Sequence, residues 1–455
     1  MPRTVTVAAG RFAPGHLGEL TQLVPFDVVD DVLARTGAMQ RRVRVLPARV
    51  VVYLLLAGCL FAELGYGQVW QRLTAGLRGG SAGSPGAAVD VAGPSASALR
   101  QARQRLTAAP LRALFDLLRG PAATTSRAAL SWRGLLPVVI DGTVMTVPDS
   151  PANLSRYAKQ RGNNGGSGYP QLRLSVLLTC GTRSIIDAVF DPVGTGEITQ
   201  AHRLGLSLRA GMLLLGDRNY AAAHLLNAWA ATGADLLVRC KSGRRLPVLS
   251  SYPDGSYLTV LAGTRLRVID ARISIATSAE RRTGTYRLLT TLLDPHQYPA
   301  TELIALYHQR WEVETAYLEI KSSILGGRVL RARTPDGVEQ EIYALLVTYQ
   351  LLRTAMTDAT DSVPGTDPDR ASFTTALHAA RDQIIQAAGI IAATHIDLVG
   401  TIGRHVLANL MPPRRIRVKP RVVKRSNSKY QARGQNIDRT SHKATISIDI
   451  LTSDP

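Results

Sequence analysis

Two apolar runs in this chain end on an aspartate. Leu136 to Ile140 runs into Asp141-Gly142-Thr143, and Met212 to Leu215 runs through Gly216 into Asp217-Arg218-Asn219-Tyr220. A later segment with helical patterning carries acids at Glu312, Glu314 and Glu319. Acids at the ends of neighbouring buried strands can aim into one cleft, where like charges repel unless a cation neutralises them. Mg2+ suits such a cleft because it takes carboxylate oxygens while keeping waters and substrate phosphate. Two such ions can activate an attacking oxygen and stabilise a leaving one in phosphoryl transfer. A single aspartate at a strand end is ordinarily just a turn residue, so the argument rests on the set.

Helix geometry sorts the late acids. With about 100° per residue and Tyr307 as zero, Arg310 falls near 300°, Glu314 near 340° and Lys321 near 320°. Glu312 and Glu319 fall at about 140° and 120° on the opposite side. Tyr307, Arg310, Glu314 and Lys321 therefore share one stripe, an acid flanked by two cations and a phenol. That stripe suits a carboxylate with phosphate-gripping neighbours. It equally suits an amphipathic helix with an Arg310–Glu314 surface pair. On the same angles a Glu319→Gln change is expected to be mild.

These residues need a scaffold. Residues 15–78 read as helical, and Leu46 to Leu64 is apolar on most sides, as in a core helix. Residues 78–86 read as a Gly/Ser loop. A Ser-capped helix opens at 94–97, and Leu99 to Leu106 carries three Arg. Another helix starts at Pro110. The pair fits a helix-turn-helix-like module or a solvated Arg-rich face. From residue 135 the texture turns to strands: 136–140, then 172–179 and 184–190 as a hairpin after a polar loop at 162–168. Helix 197–209, strand 212–215, helix 221–232 and strand 235–239 complete a mixed α/β sheet. Residues 242–292 alternate in short runs, which reads as a small antiparallel insertion. Helices return at 301–325 and 338–357, then a Pro/Asp/Gly linker at 360–370, helix at 371–410, and a basic stretch at 412–433.

Composition narrows the partner. The chain has 455 residues with 54 Lys and Arg against 34 Asp and Glu, a net charge of +20. Such an excess of positive charge points to a polyanion, most often nucleic acid. Only seven of the basic residues are Lys. Arg favours bidentate phosphate contact, although a GC-rich genome produces the same bias. Cys59, Cys180 and Cys240 lie far apart with no CxxC pair, which argues against a zinc ribbon or a disulfide framework. The longest apolar run, Val50 to Ala62, is shorter than the ~18 residues of a membrane span, and no signal pattern opens the chain. Neither Gly194-Thr195-Gly196 nor the Gly162–Gly168 loop ends in Gly-Lys-Ser/Thr, which argues against an ATP site. The expectation is a reduced cytoplasmic protein with no membrane role and no ATP requirement.

The spacing Tyr307-x2-Arg310-x3-Glu314-x6-Lys321 resembles the Y-R-E-K signature of the insertion-element-four family of bacterial DDE transposases. Asp141-Gly142-Thr143 and Asp217-Arg218-Asn219-Tyr220 look like that family's first two acid motifs. The resemblance extends from the N-terminal helical region to the basic segment near residue 425. It implies an α/β ribonuclease-H-like catalytic core interrupted by a β-rich insertion, with helical N-terminal and helical, basic C-terminal regions. The corresponding segments are 1–125 (helical, DNA-binding or accessory), 126–241 (core, first part), 242–298 (insertion), 299–358 (core, second part) and 359–455 (C-terminal region). By resemblance Asp141, Asp217 and Glu314 form the catalytic triad and hold two Mg2+ ions, with Mn2+ able to substitute. Tyr307, Arg310 and Lys321 would grip phosphates of the element end.

Cut-and-paste members of that family stack a flipped base on Trp, and Trp311 directly follows Arg310 as that pattern wants. It is a DNA-contacting candidate, or else a core aromatic. The insertion departs from the pattern: it holds Tyr252, Tyr257, Tyr286 and Tyr298 but no Trp. The implied substrate is double-stranded DNA, namely the element's terminal inverted repeats and the target, handled by a homodimer on DNA. Two alternatives stay open, a ribonuclease-H-like nuclease without strand transfer and a non-catalytic DNA-binding protein derived from a transposase.

The charge balance predicts that binding to duplex DNA falls steeply as salt rises, through release of counterions from many Arg–phosphate contacts. Deleting residues 412–455 should flatten the slope of log affinity against log salt, and a filter-binding titration measures both.

Overall fold

The computed structural model describes residues 15–40, 42, 46–78, 93–121, 131–162, 165–276, 281–388, 390, 399–412, 417–418, 442–443 and 445–452. Helices α1 (Phe26–Arg35), α2 (Ala48–Leu60), α3 (Tyr66–Arg78), α4 (Ala96–Leu106) and α5 (Ala109–Leu118) come first. Strand β1 (Leu136–Thr146), a one-turn helix α6 (Pro151–Leu154), and strands β2 (Lys159–Gly162), β3 (Gly165–Thr179) and β4 (Ile185–Pro192) follow. Next are α7 (Glu197–Gly205), β5 (Met212–Gly216), α8 (Ala223–Ala230) and β6 (Asp235–Cys240). Four strands, β7 (Ser250–Ser251), β8 (Tyr257–Leu261), β9 (Thr264–Ala276) and β10 (Arg281–Thr290), precede α9 (Ala300–Tyr307) and α10 (Glu312–Leu318). The chain ends with α11 (Pro335–Asp361), α12 (Phe373–Gln386), α13 (Gly400–Ala408), β11 (Arg417–Val418), β12 (His442–Lys443) and β13 (Thr445–Ile450). This is a mixed α/β fold with a helical N-terminal region. Among the described residues no helix is long and apolar enough to cross a membrane.

Two compact units emerge, Met1–Ser207 with Trp311–Met411, and Leu208–Arg310 with Pro412–Pro455. In the first, α2 is buried on every side from Val50 to Leu60, as an all-apolar sequence requires. Ser95 caps α4 by accepting from the Ala98 amide at 3.2 Å. The helix-turn-helix reading of α4 and α5 meets a packing constraint: Pro110, Leu111, Leu114 and Phe115 of α5 are buried, and α5 packs on α11. Of the three Arg on α4, Arg103 stacks on the Tyr66 ring with its guanidinium carbon 4.1 Å from the centroid. Arg100 and Arg105 are exposed.

Strand β3 is central to the first unit. Asp141 of β1 lies opposite Val176 on one edge, and Ala188 of β4 lies opposite the same residue on the other. The residues expected to form a loop at 162–168 instead lie largely in the hairpin of β2 and β3. Backbone pairing carries the strand through Gly-rich sequence that side-chain alternation could not reveal.

In the second unit β5 and β6 are parallel, with Gly216 opposite Val238. The strands expected as a separate insertion join that pair directly, because β10 pairs antiparallel with β6. β9 then pairs with β10 along one edge. Its other edge takes β8 for the first half and β13 for the second. The reading of 359–455 as helical and basic is corrected at its end, where the last described strand completes this sheet. Deleting 412–455 would remove that strand along with the basic stretch, so Arg and Lys to Gln changes within 414–433 make the cleaner salt-slope test. Apart from 417–418, residues 413–433 lie outside the described ones.

His16 ties the start of the chain to α3. Its buried ring lies with Nε2 2.7 Å from the Leu73 carbonyl oxygen, while Nδ1 accepts from the Gly18 amide at 3.1 Å. That arrangement needs the neutral ring with Nε2 protonated, and burial holds the pKa below 6.5 against the raising effect of the Leu73 bond. The unfolded chain takes up the proton as pH falls through about 6.5, before the folded chain does. The stability is therefore complete above that value and is lost as pH falls from there towards the folded pKa. Melting temperatures at pH 7.5 and 5.5 should show a larger acid-induced drop for the wild type than for His16→Gln.

Candidate active site

The first unit brings β1 and α10 together at Asp141. Tyr317 of α10 donates its hydroxyl to the Asp141 carbonyl at 2.5 Å. One turn further on, Lys321 Nζ donates to the Thr143 hydroxyl at 3.2 Å and the Val144 carbonyl at 2.8 Å. The helix is thus pinned along β1 at successive residues. Glu314 stands one helical turn before Tyr317 and is half-buried, as Asp141 is. Asp141 turns Oδ1 to the Gly142 amide at 2.8 Å.

Gly142 has a steric reason to be glycine. A Cβ there would lie 2.9 Å from Ser175 Oγ and 3.1 Å from Glu197 Oε1. Glu197, the first residue of α7, is therefore a second carboxylate beside this strand. The Tyr317 phenol is pushed well above its ordinary range by burial first, then by the charges of Asp141 and Glu197. Sequence reasoning missed both Tyr317 and Glu197. Tyr317 was detectable at three residues after Glu314 on the helix. Glu197 follows the Gly194-Thr195-Gly196 turn that drew attention only as a phosphate-loop candidate.

The second unit holds Asp217, Tyr307 and Arg310. Asp217 leaves the buried strand β5 and is half-buried. Its Oδ1 accepts from the Asn219 amide at 2.7 Å, capping a 3₁₀ turn at Arg218–Tyr220. Tyr307 is buried, and its hydroxyl donates to the Gly216 carbonyl at 3.0 Å, next to Asp217. Burial raises its pKa, with the nearby Arg310 and Arg239 opposing and Asp217 adding to the rise. The Tyr307 hydroxyl is thus engaged in holding the strand end that presents Asp217. Arg239 stacks on Tyr286 with its guanidinium carbon 3.9 Å from the ring centroid.

The single helix expected over 301–325 is replaced by four segments: α9, a 3₁₀ stretch at His308–Trp311, α10, and a π stretch at Glu319–Ile324. The uniform 100° step therefore holds only inside α10, and π turns are frequent at functional sites. The separation of acids survives this. Glu312 and Glu319 are buried in an ion network with Arg183 and Arg353. Glu319→Gln, expected to be mild for cleavage, would therefore remove charge from between two buried guanidiniums and cost about 3–5 kcal/mol of stability. Trp311 is 45% exposed, which removes the core-aromatic reading.

Asp141 and Glu314 lie in the first unit with Lys321 and Trp311, while Asp217, Tyr307 and Arg310 lie in the second. Among the described residues no three His, Cys, Asp or Glu side chains form a group that could hold a metal ion. Asp141, Asp217 and Glu314 are each a half-buried carboxylate, the oxygen donor that a hard cation takes.

Comparison with known proteins matches residues 14–116 to the insertion element 4 transposase N-terminal family and residues 132–351 to the transposase DDE domain family. The transposase InsG of insertion sequence element IS4 from Escherichia coli strain K12 is 27% identical over 424 residues, covering 89% of this chain and 91% of InsG. A solved structure, the piggyBac transposase synaptic complex with hairpin DNA, aligns with a TM-score of 0.43 and 11% identity over 90% of this chain and 87% of that one.

Replacing Tyr317 with Phe should leave the Asp141 carbonyl without its buried donor and cost about 1–2 kcal/mol of stability. Urea unfolding of the two proteins measures the difference, and equal midpoints would remove the pin between α10 and β1. With residues 14–116 and 132–351 matched by these two families, the chain belongs to the insertion-element-four family of DDE transposases.

Proposed function

We propose that this chain is an active transposase that cuts and joins the ends of its own insertion sequence by phosphoryl transfer on double-stranded DNA. The observation that carries the reading is the pinning of α10 to β1, with Tyr317 on the Asp141 carbonyl and Lys321 on Thr143 and Val144. It keeps the Glu314 helix against the strand that bears Asp141. The antiparallel meander of β1, β3 and β4, followed by a helix and the parallel pair β5 and β6, is the element order of a ribonuclease-H-like core and supports the same reading.

Asp141, Asp217 and Glu314 would hold Mg2+, two ions in the family's manner, with Mn2+ as a substitute. A bound divalent ion supplies Lewis acidity to a phosphoryl oxygen and lowers the pKa of an attacking water or hydroxyl. The protein's own groups bind and orient. Arg310 offers a planar fork for bidentate phosphate contact, whereas Lys321, already donating to β1, adds a point charge. Tyr307 acts through the Gly216 carbonyl, holding the end of β5 so that Asp217 keeps its direction. Trp311 presents an exposed indole face for stacking an unpaired base. The net charge of +20 draws in the DNA. The two element ends would be paired by a homodimer assembled on DNA, without ATP.

Asp141→Asn, Asp217→Asn and Glu314→Gln should each lower cleavage at least ~1000-fold, the scale seen when a single electrostatic catalytic group is removed, while leaving DNA affinity within a few fold. The substrate is a duplex carrying the inverted repeat that flanks the gene, and gel shift runs beside single-turnover cleavage. Cleavage by all three variants at the wild-type rate would sink the assignment. Product joining to a second duplex separates a transposase from a nuclease that only cuts.

A further inference from the structure

We propose that Arg183 is a positioning residue for Glu314, holding the catalytic helix from the face opposite the acid. The proposal rests on the reading of Glu314 as a catalytic carboxylate.

Arg183 is only 1% exposed, yet it carries a full charge in the tight turn between β3 and β4. Its Nε donates to Glu312 Oε2 at 2.5 Å, its Nη1 to Glu319 Oε1 at 3.4 Å, and its Nη2 to Asp369. Glu312 opens α10 and Glu319 is the first residue past its end, so the same guanidinium meets carboxylates at both ends of that helix. One planar guanidinium therefore grips the same side of the helix at two heights. Two grips along an axis oppose both rotation and sliding, which a single contact does not. Glu314 is two residues beyond Glu312, about 200° around the helix, on the side away from the grip.

The rest of the network backs the anchor. Arg353 donates to Glu319 Oε2, and Tyr349 donates to the same oxygen at 3.1 Å. Burial works against the Arg353 charge, but Glu319 beside it more than offsets this and raises its pKa. Glu312, Glu319 and Asp369 thus converge on one buried guanidinium, and Glu319 is shared with a second. Such an arrangement is poorly justified by stability alone, since apolar side chains of equal volume would often serve as well.

The backbone points the same way. Arg183 has a φ of +55°, a left-handed conformation rare for a residue with a side chain. Gly would be the relaxed choice in this turn. The Tyr349 hydroxyl also lies 3.3 Å from the Arg183 carbonyl, so its single proton is shared between that oxygen and Glu319. Strain retained next to a candidate site is a signature of a functional constraint.

The test uses the full chain and the inverted-repeat duplex, with Arg183→Lys, Glu312→Gln and Glu314→Gln compared to wild type. Arg183→Lys keeps the charge but loses the fork. Glu312→Gln is isosteric and leaves Arg183 with Glu319 and Asp369, so it carries the test if Arg183→Lys does not fold. The readouts are single-turnover cleavage across a Mg2+ titration well below the melting temperature, and amide hydrogen exchange of residues 312–324 in metal-free protein. The expected result is a rise of about tenfold or more in the Mg2+ concentration for half-maximal cleavage, faster exchange in 312–324, and unchanged DNA affinity. Wild-type Mg2+ dependence and exchange in the folded variants, with only a lower melting temperature, would overturn the positioning role. Wild-type cleavage by Glu314→Gln would instead overturn the catalytic reading beneath it, so the two failures are distinguishable.

Discussion

A charge buried in a protein interior must meet its opposite at hydrogen-bond distance, and in this chain that constraint sits beneath the helix that carries the third acid. The guanidinium of Arg183 cannot be solvated where it lies, so Glu312, Glu319 and Asp369 must come to it. Once they do, the back of α10 is settled. The front is settled separately by a phenol and an ammonium reaching backbone oxygens of β1. A helix held from both sides has little freedom to turn. Nearby Cys180 shows how strong the local field is: burial, and then Glu312 and Asp369, push its thiol well above the ordinary range and keep it protonated.

The second unit uses the same principle with a different purpose. Arg267 is fully buried and meets Asp254, Ser256 Oγ and the Tyr298 carbonyl. Asp254 in turn accepts from the Ala300 amide at the start of α9. Burial raises the Asp254 pKa, but its hydrogen bond from Ser256 and the Arg267 charge outweigh that and hold the carboxyl below its usual range. The β strands of 250–290 are thereby tied to the helix that ends on Tyr307. Tyr307 then reaches back to the strand end that presents Asp217. The β-rich segment thus supports one of the candidate acids as well as extending a sheet.

Much of the candidate site was legible because its signals are local. An apolar run terminating in Asp-Gly is a strand end whichever partner the strand finds, and the spacing of Tyr307, Arg310, Glu314 and Lys321 survives any packing. The angular separation of Glu314 from Glu312 needed only the helical repeat. Other features were invisible for a physical reason. Gly165 to Gly168 carry no side-chain pattern, yet backbone pairing makes them a strand. β13 looks like an ordinary polar-apolar alternation after a basic stretch, and nothing local says that it completes the sheet on β9. The 3₁₀ and π segments flanking α10 likewise have no compositional mark.

The sequence by itself determined the family, the mixed α/β class, which three acids are candidates and the basic character, because residue identity, periodicity and net charge do not depend on long-range contacts. Only the tertiary structure decided what each neighbour of those acids does. Tyr307 and Lys321, read as phosphate grips, both donate to backbone carbonyls. Glu319, read only as lying off the catalytic stripe, is locked between two buried arginines. Arg183, one Arg among 47, stood out only as part of the turn between the strands read at 172–179 and 184–190. Its importance comes from having no water around it, and burial is a property of the folded chain that a residue's letter does not record.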